Sequence, residues 1–264
     1  MKNIVTAFFM AWGNFLSLPC PYRHWDGKLK NMMLGFLPLI GFAAGLLWFG
    51  LGVFITFVGV PVILSSFAMT FFIYAVCGFM HMDGFMDVND AVMSRRPLEE
   101  RRRILKDSNV GAFAVITVVF LVLASLSSMI SFLASEPAYA DLLVLTVIPV
   151  ASRAASGACV LNFKPMETSQ YLEAHSAPRT KYTIMLAVFA VAVTATAAAV
   201  GTVWNNCGGA AGTIKPVGTA LVTFFATFTA CLYAKCRLDG MNGDIAGYSI
   251  CAGEVAGLVF IALF

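Results

Sequence analysis

The feature that most constrains this chain is a succession of long apolar segments separated by short polar ones. Seven such segments lie at roughly residues 31–57, 60–80, 111–135, 139–162, 182–204, 216–235 and 240–264. A helix of about 20 apolar residues crosses the hydrocarbon core of a bilayer and satisfies its own backbone hydrogen bonds. The segments therefore predict an all-α, polytopic integral membrane protein with about seven transmembrane helices.

The composition agrees with that class. Hydrophobic residues make up 59% of the 264 residues, charged residues only 12%, and the mean hydropathy is +0.83. Soluble domains are closer to about a quarter charged. The formal net charge of +3 is too small to favour a nucleic-acid partner. We expect residues 1–264 to form a single membrane-embedded domain in contact with the lipid bilayer.

The first apolar segment, residues 4–18, differs from the other seven. With about 15 residues it is too short to cross a bilayer, and its Phe and Trp side chains are typical of segments at headgroup level. We predict a short interfacial or re-entrant helix there. We do not expect a cleavable signal peptide, because Pro19 and Pro21 follow the segment where a cleavage site would need small residues.

The basic residues orient the predicted helices. All but two of the 17 Lys and Arg residues lie in the polar segments 1–30, 81–110, 163–181 and 235–239, which the predicted spans place on one side. Loops rich in Lys and Arg face the cytoplasm. The sequence therefore predicts a multi-pass protein of the bacterial cytoplasmic (inner) membrane, with residues 81–110 facing the cytoplasm.

Three aspartates and a histidine lie close together in residues 81–90, His-Met-Asp-Gly-Phe-Met-Asp-Val-Asn-Asp. Asp83, Asp87 and Asp90 are four and three residues apart, so they share one face of a helix. Like charges at this spacing repel each other, which predicts a cation beside them. Oxygen ligands and substrate phosphates suit Mg²⁺, with Mn²⁺ as the alternative.

Ionisable residues inside predicted spans are costly and are candidate site residues. Asp244 lies in the glycine-rich stretch 240–247 at the start of the last span. The small neighbours of Arg153 favour a helix face that lines a cavity, and the alternative is a structural pair with a buried carboxylate. For Glu254, about 15 Å further along the last span than Asp244, a structural hydrogen bond is the alternative to a place in the site.

The basic stretch 95–106 has two interpretations. Its guanidinium groups suit a phosphate-bearing substrate, whereas anchoring on anionic lipid headgroups is the alternative. In the following segment, 106–111, Ser108 or Asn109 is predicted to cap the next helix, whose N-terminus would favour an anion. Carboxylates beside basic groups indicate a divalent metal ion and a polyphosphate.

Cysteine and histidine do not indicate zinc. The seven cysteines are scattered without a C-x-x-C pair, and we expect reduced cysteines that pack among apolar side chains. The three histidines, His24, His81 and His175, do not have the spacing of metal ligands.

The motifs resemble those of a known family. Residues 81–90, the basic stretch and the segment KDSNVGAF at 106–113 are similar to the signature of the adenosylcobinamide-GDP ribazoletransferases, also called cobalamin 5′-phosphate synthases. The segments 18–21, 36–41, 152–153 and 240–247 match further family motifs in the same order, so that the resemblance covers the whole chain. The chain departs from the family pattern at Ala91, usually Gly, at Asn242, usually Thr, and at Cys251, usually Glu.

The resemblance implies a Mg²⁺-dependent transferase of the last steps of vitamin B12 assembly. The family joins adenosylcobinamide-GDP to α-ribazole or its 5′-phosphate and releases GMP. In this reaction a ribose hydroxyl attacks the cobinamide-bound phosphorus, and GMP is the leaving group. By position, Asp83, Asp87 and Asp90 would hold the metal and the pyrophosphate, and Asp83, Asp87 and Asp244 would be the catalytic residues. Asp244 would complete the metal site or act as base. The substrate contacts would be His81, Lys106, Ser108, Arg153 and Asn242.

Two other functions are open from the residues alone. A CDP-alcohol phosphotransferase also carries spaced aspartates on membrane helices, but Met86 and Asp87 stand where that family has Ala and Arg. A cation-coupled transporter would place its carboxylates near the middle of the bilayer, whereas these follow the end of a span. A homo-oligomer is compatible with the sequence. The sequence does not distinguish α-ribazole from α-ribazole 5′-phosphate as the acceptor.

Overall fold

The structure of the chain, a computed structural model, describes residues 2–172, 178–204 and 211–264, so that His175 and Cys207 lie outside the described residues. In this part the regular secondary structure is helical, apart from an isolated bridge between Pro165 and Met241. The predicted all-α, polytopic fold class is confirmed.

Eleven α-helices in the described part of the chain form the fold, and we number them in chain order. They are α1 Lys2–Phe15, α2 Lys30–Gly35, α3 Leu37–Val58, α4 Val62–Val76, α5 Met80–Met93, α6 Leu98–Ile104, α7 Ala112–Ala134, α8 Val144–Asn162, α9 Thr180–Trp204, α10 Ala211–Leu238 and α11 Gly243–Leu263.

Six of these helices, α3 and α7 to α11, are long and apolar enough to cross a membrane. The pair α4 and α5 is bent by 86°. Its first member, α4, has 15 residues and is shorter than the other six, and the resulting count of six to seven candidate spans confirms the prediction of about seven. Helix α1, with 14 residues, is too short to cross, and its interfacial position stays a prediction.

Two boundaries differ from the predicted spans. The predicted span 31–57 is divided at Phe36 into α2 and α3, because Pro38 lies in the first turn of α3 and has no N–H to continue the preceding helix. The predicted span 60–80 ends at Val76. The turn between α3 and α4 is tight, with Gly59 in the left-handed region at φ 76°.

Helix α8 lies at the centre of the bundle. It is buried along nearly its whole length and packs against α3, α9, α10 and α11. Glycines of α3 permit the closest approach: a Cβ on Gly45 would lie 2.7 Å from the Cα atom of Thr146. Small residues let helix backbones meet in this way when the surrounding medium is lipid.

The four segments rich in Lys and Arg meet at one end of the bundle, which we call the basic end and which comprises residues 16–30, 94–111, 163–172 and 239–243. Arg102 Nε donates to the carbonyl oxygen of Leu238 at 3.0 Å, and Lys30 Nζ donates to that of Gln170 at 2.8 Å. The contacts agree with the prediction that these segments share one side. Their orientation toward the cytoplasm stays a prediction.

Candidate active site

A sharp bend turns α5 across the basic end. Gly78 and Phe79 both lie in the left-handed region, at φ 64° and 57°, a conformation that costs a non-glycine residue such as Phe79 about 1–3 kcal/mol. Ser17 supports the bend, because its Oγ donates to the carbonyl oxygens of Ala75 and Val76 at 2.8 and 3.1 Å. Helix α5 therefore lies outside the membrane-spanning helices and crosses their ends.

The acidic residues of α5 share one helix face, as predicted, and differ in exposure. Asp83 is exposed, Asp87 is half-buried and Asp90 is buried. The same helix carries Gly84, at which a Cβ would lie 2.7 Å from the carbonyl oxygen of Asp244. Helix α5 and the first turn of α11 are thus in backbone contact, and this contact brings Asp244 to the acidic face.

Asp244 is held in place by the residue that caps α11. The side-chain oxygen of Asn242 accepts the N–H of Ile245 at 3.0 Å, which is the usual bond of an N-cap. The Nδ2 atom of Asn242 donates to Asp244 Oδ2 at 2.6 Å. One residue therefore begins the helix and orients the carboxylate.

The carboxylates create a strongly negative site. Burial, followed by the nearby charges of Asp83, Asp244 and Asp90, raises the pKa of Asp87 to about 7. A group of like charges favours the protonated form of its most enclosed member. A cation beside these carboxylates would reverse that preference.

The contacts of Asp90 are with α7. Its two carboxylate oxygens accept the N–H groups of Gly111 and Ala114, at 2.6 and 2.9 Å. The expectation that Ser108 or Asn109 caps this helix is wrong, because both precede the N-cap residue, Gly111. Asn109 bonds instead to Asp107, and its backbone N–H holds the pKa of that carboxyl below the usual value.

A cleft of about 460 Å³ opens beside Asp244. Arg102 and Arg103 of α6 and the exposed Lys106 line one part of it, and Asn242 and Asp244 line another. Arg102 is fixed by Asp239, with Nη2 3.2 Å from its carboxylate. Glu99 and Glu167 also line the cleft, which thus combines three cationic groups with three carboxylates, one of them the predicted catalytic Asp244.

Arg153 is enclosed in the interior instead of lining the cleft. Its Nη1 atom lies 2.6 Å from Glu254 Oε1, and both side chains are almost completely buried. Its Nη2 atom donates to Cys77 Sγ at 3.1 Å, at the end of α4 and directly before the bend. The structure therefore shows the structural pair that the sequence left as an alternative, for Arg153 and for Glu254.

His81 lies in the first turn of α5 and is buried against α11. Its backbone is close to Gly247, where a Cβ would lie 3.1 Å from the Cα atom of His81. Burial, followed by the charge of Arg153, lowers the pKa of His81 to about 3, so the ring is neutral. Its Nε2 atom has no hydrogen-bond partner among the described residues.

The sequence as a whole matches one family model. The model, described as cobalamin-5-phosphate synthase, matches residues 7–262. The chain belongs to the cobalamin-5-phosphate synthase family.

Individual relatives of this synthase family support the assignment over the full length. An adenosylcobinamide-GDP ribazoletransferase of Clostridium perfringens (strain 13 / Type A) is 31% identical over 265 residues, with 100% of both chains covered. One of Clostridium botulinum (strain Alaska E43 / Type E3) is 30% identical over 269 residues, again with 100% of both covered. One of Lachnoclostridium phytofermentans is 26% identical, with 97% of this chain and 94% of the relative covered. No solved structure matches the chain.

In this synthase the predicted site residues fall into three groups. The carboxylates Asp83, Asp87, Asp90 and Asp244 are close enough to interact electrostatically. Lys106 and Asn242 join Asp244 at the cleft. Ser108 is exposed outside the cleft lining, His81 is a buried residue of α5, and Arg153 is a buried residue of α8.

Sequence reasoning missed other residues of the cleft. Arg102 and Arg103 were part of a basic stretch with two interpretations, and their spacing does not distinguish a cleft wall from a headgroup anchor. Thr168 reaches the cleft because residues near it pair with the chain before α11, where the N–H of Met241 donates to the carbonyl of Lys164. The sequence carries no local signal for that long-range contact.

Proposed function

We propose that this synthase is an adenosylcobinamide-GDP ribazoletransferase. It joins adenosylcobinamide-GDP to α-ribazole, or to α-ribazole 5′-phosphate, and releases GMP late in vitamin B12 synthesis. Full-length relatives carry the transferase name. The observation that carries the proposal is the contact of α5 with α11, which brings Asp83 and Asp87 to Asp244, beside a cleft that Arg102, Arg103 and Lys106 help to line.

Mg²⁺ is proposed as the cofactor, with Mn²⁺ as the alternative, held by Asp83 and Asp87. Within the described chain no three His, Cys, Asp or Glu side chains are arranged as a complete metal site. Mg²⁺ does not need one, since it binds one or two carboxylates together with substrate phosphates and water. Bound there, the ion supplies positive charge to the pyrophosphate. Asp90 is left out of this set because both its oxygens accept N–H groups of α7.

The cleft residues bind and orient the reacting groups. Arg103 and Lys106 face the phosphates, while Asp244 takes the proton of the attacking ribose hydroxyl. A bond forms between that oxygen and the cobinamide-bound phosphorus, and the bond to the GMP oxygen breaks. The hydrogen bond from Asn242 orients Asp244 for this proton transfer.

His81 and Arg153 are proposed to position α5. Arg153 joins α8 to Glu254 of α11 and to Cys77 at the end of α4. The bend that follows Cys77 aims α5 across the basic end. In this proposal Arg153 acts on the substrate through the placement of Asp83 and Asp87.

The protein is proposed to reside in the bacterial cytoplasmic membrane with the basic end toward the cytoplasm. Two observations support this orientation: Lys and Arg are concentrated at that end, and its opening would be accessible to a soluble nucleotide.

The test is GMP release by the purified full-length protein. With Mg²⁺, adenosylcobinamide-GDP and α-ribazole, we expect GMP and the joined product in equal amounts. Asp83→Asn should lower turnover by roughly 100-fold or more, since it removes charge that acts on the pyrophosphate. Glu136→Gln, at the opposite end of the bundle, is the control and should be active. Absence of GMP release by the unmodified protein would refute the transferase proposal, and an active Asp83→Asn variant would remove Asp83 from the site.

A further inference from the structure

A second cavity at the basic end is separate from the cleft. It measures about 850 Å³ and lies between the end of α5, the start of α7 and the end of α10. Arg95, Arg96, Arg101 and Arg237 line it, and among the described residues no Asp or Glu does. We call it the arginine cavity. Helix α6 divides it from the cleft, because Arg101 faces the cavity and Arg102 faces the cleft.

Within residues 2–172, 178–204 and 211–264, the guanidinium groups of the arginine cavity have no acidic partner. The two α6 arginines outside it are paired, Arg102 with Asp239 and Arg103 with Glu100. The structure shows no ion pair between the cavity arginines and any described residue. The Nε atom of Arg101 is buried without a hydrogen-bond partner there. An unpartnered buried polar group costs free energy, so an external anion would complete this site.

The floor of the arginine cavity is apolar and continues along α10. Phe113 and Tyr233 line the cavity, and Arg237 stacks on Tyr233 with its Cζ 5.3 Å from the ring centroid. Tyr233 also belongs to a neighbouring apolar groove of about 550 Å³, with Phe225, Ala226, Thr229, Ala230 and Tyr248. The cavity and the groove are therefore contiguous at Tyr233.

The dimensions fit one class of ligand. From Phe225 to Tyr233 the helix rises about 12 Å, close to the half-thickness of the hydrocarbon core, about 15 Å. Phe225 is 60% exposed on a helix that is apolar enough to cross the membrane. A molecule with a phosphate at one end and a chain of that length would satisfy the arginines and cover the groove.

We propose that the arginine cavity and its groove bind one anionic phospholipid, with the headgroup phosphate among Arg95, Arg96, Arg101 and Arg237 and an acyl chain along α10. The site touches the proposed active site indirectly, because Tyr248 of the groove stacks on Phe85 of α5 with ring centroids 5.5 Å apart. The proposal does not depend on the transferase activity, since it concerns lipid binding alone.

The test is native mass spectrometry of the full-length protein exchanged between phosphatidylglycerol and phosphatidylcholine with identical acyl chains. We expect one retained phosphatidylglycerol, preferred over phosphatidylcholine. Arg237→Gln should weaken retention by roughly fivefold, the effect of one basic residue at an anionic surface. The exposed Lys28→Gln, also at the basic end, removes the same charge away from the cavity and should leave retention unchanged. Equal retention of both lipids, or an equal effect of Lys28→Gln, would overturn the proposal.

Two further experiments distinguish a bound lipid from a bound soluble phosphate. The first changes the exposed Thr229, where a substitution does not endanger folding. Thr229→Phe places a ring in the groove and should weaken retention of long-chain phosphatidylglycerol while Arg237 is intact. Glycerol 3-phosphate or GDP, which have phosphate but no acyl chain, should not displace the lipid at equal concentration. Displacement by either compound, or an unchanged lipid occupancy in Thr229→Phe, would show a soluble-phosphate site and refute the lipid assignment.

Discussion

Asp87 is a carboxylate whose surroundings bring its protonation into the range near neutral pH. Its pKa is about 7 in the folded protein, against 3.8 for the free side chain, so folding takes up a proton between these values. The metal-free protein is expected to lose stability as the pH rises from about 4 to about 7. Mg²⁺ affinity should rise over the same range, because metal and proton compete for the carboxylate.

Thermal unfolding in detergent at pH 5 and pH 8, with and without Mg²⁺, checks this prediction. Asp87→Asn should raise Tm of the metal-free protein at pH 8 and remove most of its dependence on Mg²⁺. Glu136→Gln is the control for loss of a carboxylate at the other end of the bundle. A metal-free protein that becomes more stable between pH 5 and pH 8 would contradict the assignment.

The Arg153–Glu254 pair leads to a prediction about stability. Glu254→Gln leaves a completely buried guanidinium without its counter-charge, which costs about 3–5 kcal/mol. Removing both charges together, in Arg153→Met with Glu254→Met, should cost less than removing Glu254 alone. The measurement is Tm of both variants, and a double variant less stable than Glu254→Gln would contradict the prediction.

Helix α5 depends on a close contact with α11. In Gly84→Ala the new Cβ would lie 2.7 Å from the carbonyl oxygen of Asp244, so the two helices must separate. Alanine is otherwise the better helix former by about 1 kcal/mol. We expect GMP release to fall by at least roughly tenfold, since a displacement of about 1 Å in a site can lower the rate by about 100-fold.

The matched control for this prediction is Gly50→Ala in α3. A Cβ at Gly50 would have no heavy atom within 4 Å, so the same substitution there should leave GMP release unchanged. Circular dichroism should show unchanged helix content in both variants. A fully active Gly84→Ala variant would mean that the separation of α5 and α11 is not critical.

Helix α7 is capped from a distant part of the chain. Asp90→Ala removes the acceptor for the N–H groups of Gly111 and Ala114, a loss of about 1–2 kcal/mol for a cap. Ser108→Ala, at the position that the sequence predicted as a cap, should leave Tm within the experimental error. Equal effects of the two substitutions would restore Ser108 as the capping residue.

The topology of the whole molecule is open to a labelling test. Cys236 is exposed at the end of α10, next to the basic end. In a background with Cys20→Ser and Cys207→Ser, a membrane-impermeant maleimide should label it in inside-out vesicles and not in right-side-out vesicles. A cysteine introduced by Glu136→Cys, in the same background with Cys236→Ser added, should show the opposite pattern. Labelling of both positions from the same side would reject the orientation.

Much of this architecture could be predicted from the sequence. Long apolar segments and the distribution of Lys and Arg are patterns along the chain, and their interpretation does not require knowledge of tertiary contacts. The spans and the shared side of the basic segments follow from these two patterns. The bend at Gly78 and Phe79 could not be predicted, because a left-handed Phe is sustained by contacts from Ser17, far away in the chain.

The candidate site was predicted in part. The helical face of Asp83, Asp87 and Asp90 follows from their spacing alone. The cap formed by Asp90 could not be anticipated, because its partners lie 21 and 24 residues later. Arg102 and Arg103 reach the cleft because α6 packs against the end of α10. This tertiary contact leaves no local pattern in the sequence.

The ion pair in the centre of the bundle also bears on how the chain is made. Arg153 and Glu254 are 101 residues apart, and ribosomes add about 5–20 residues per second. The guanidinium of α8 therefore waits about 5–20 s for its counter-charge, during which α9, α10 and α11 are still being synthesised or have just begun to insert. If α8 inserts before α11, its guanidinium lies uncompensated among apolar helices, which is costly, and a chain that stops before α11 would keep that unpaired charge at its core.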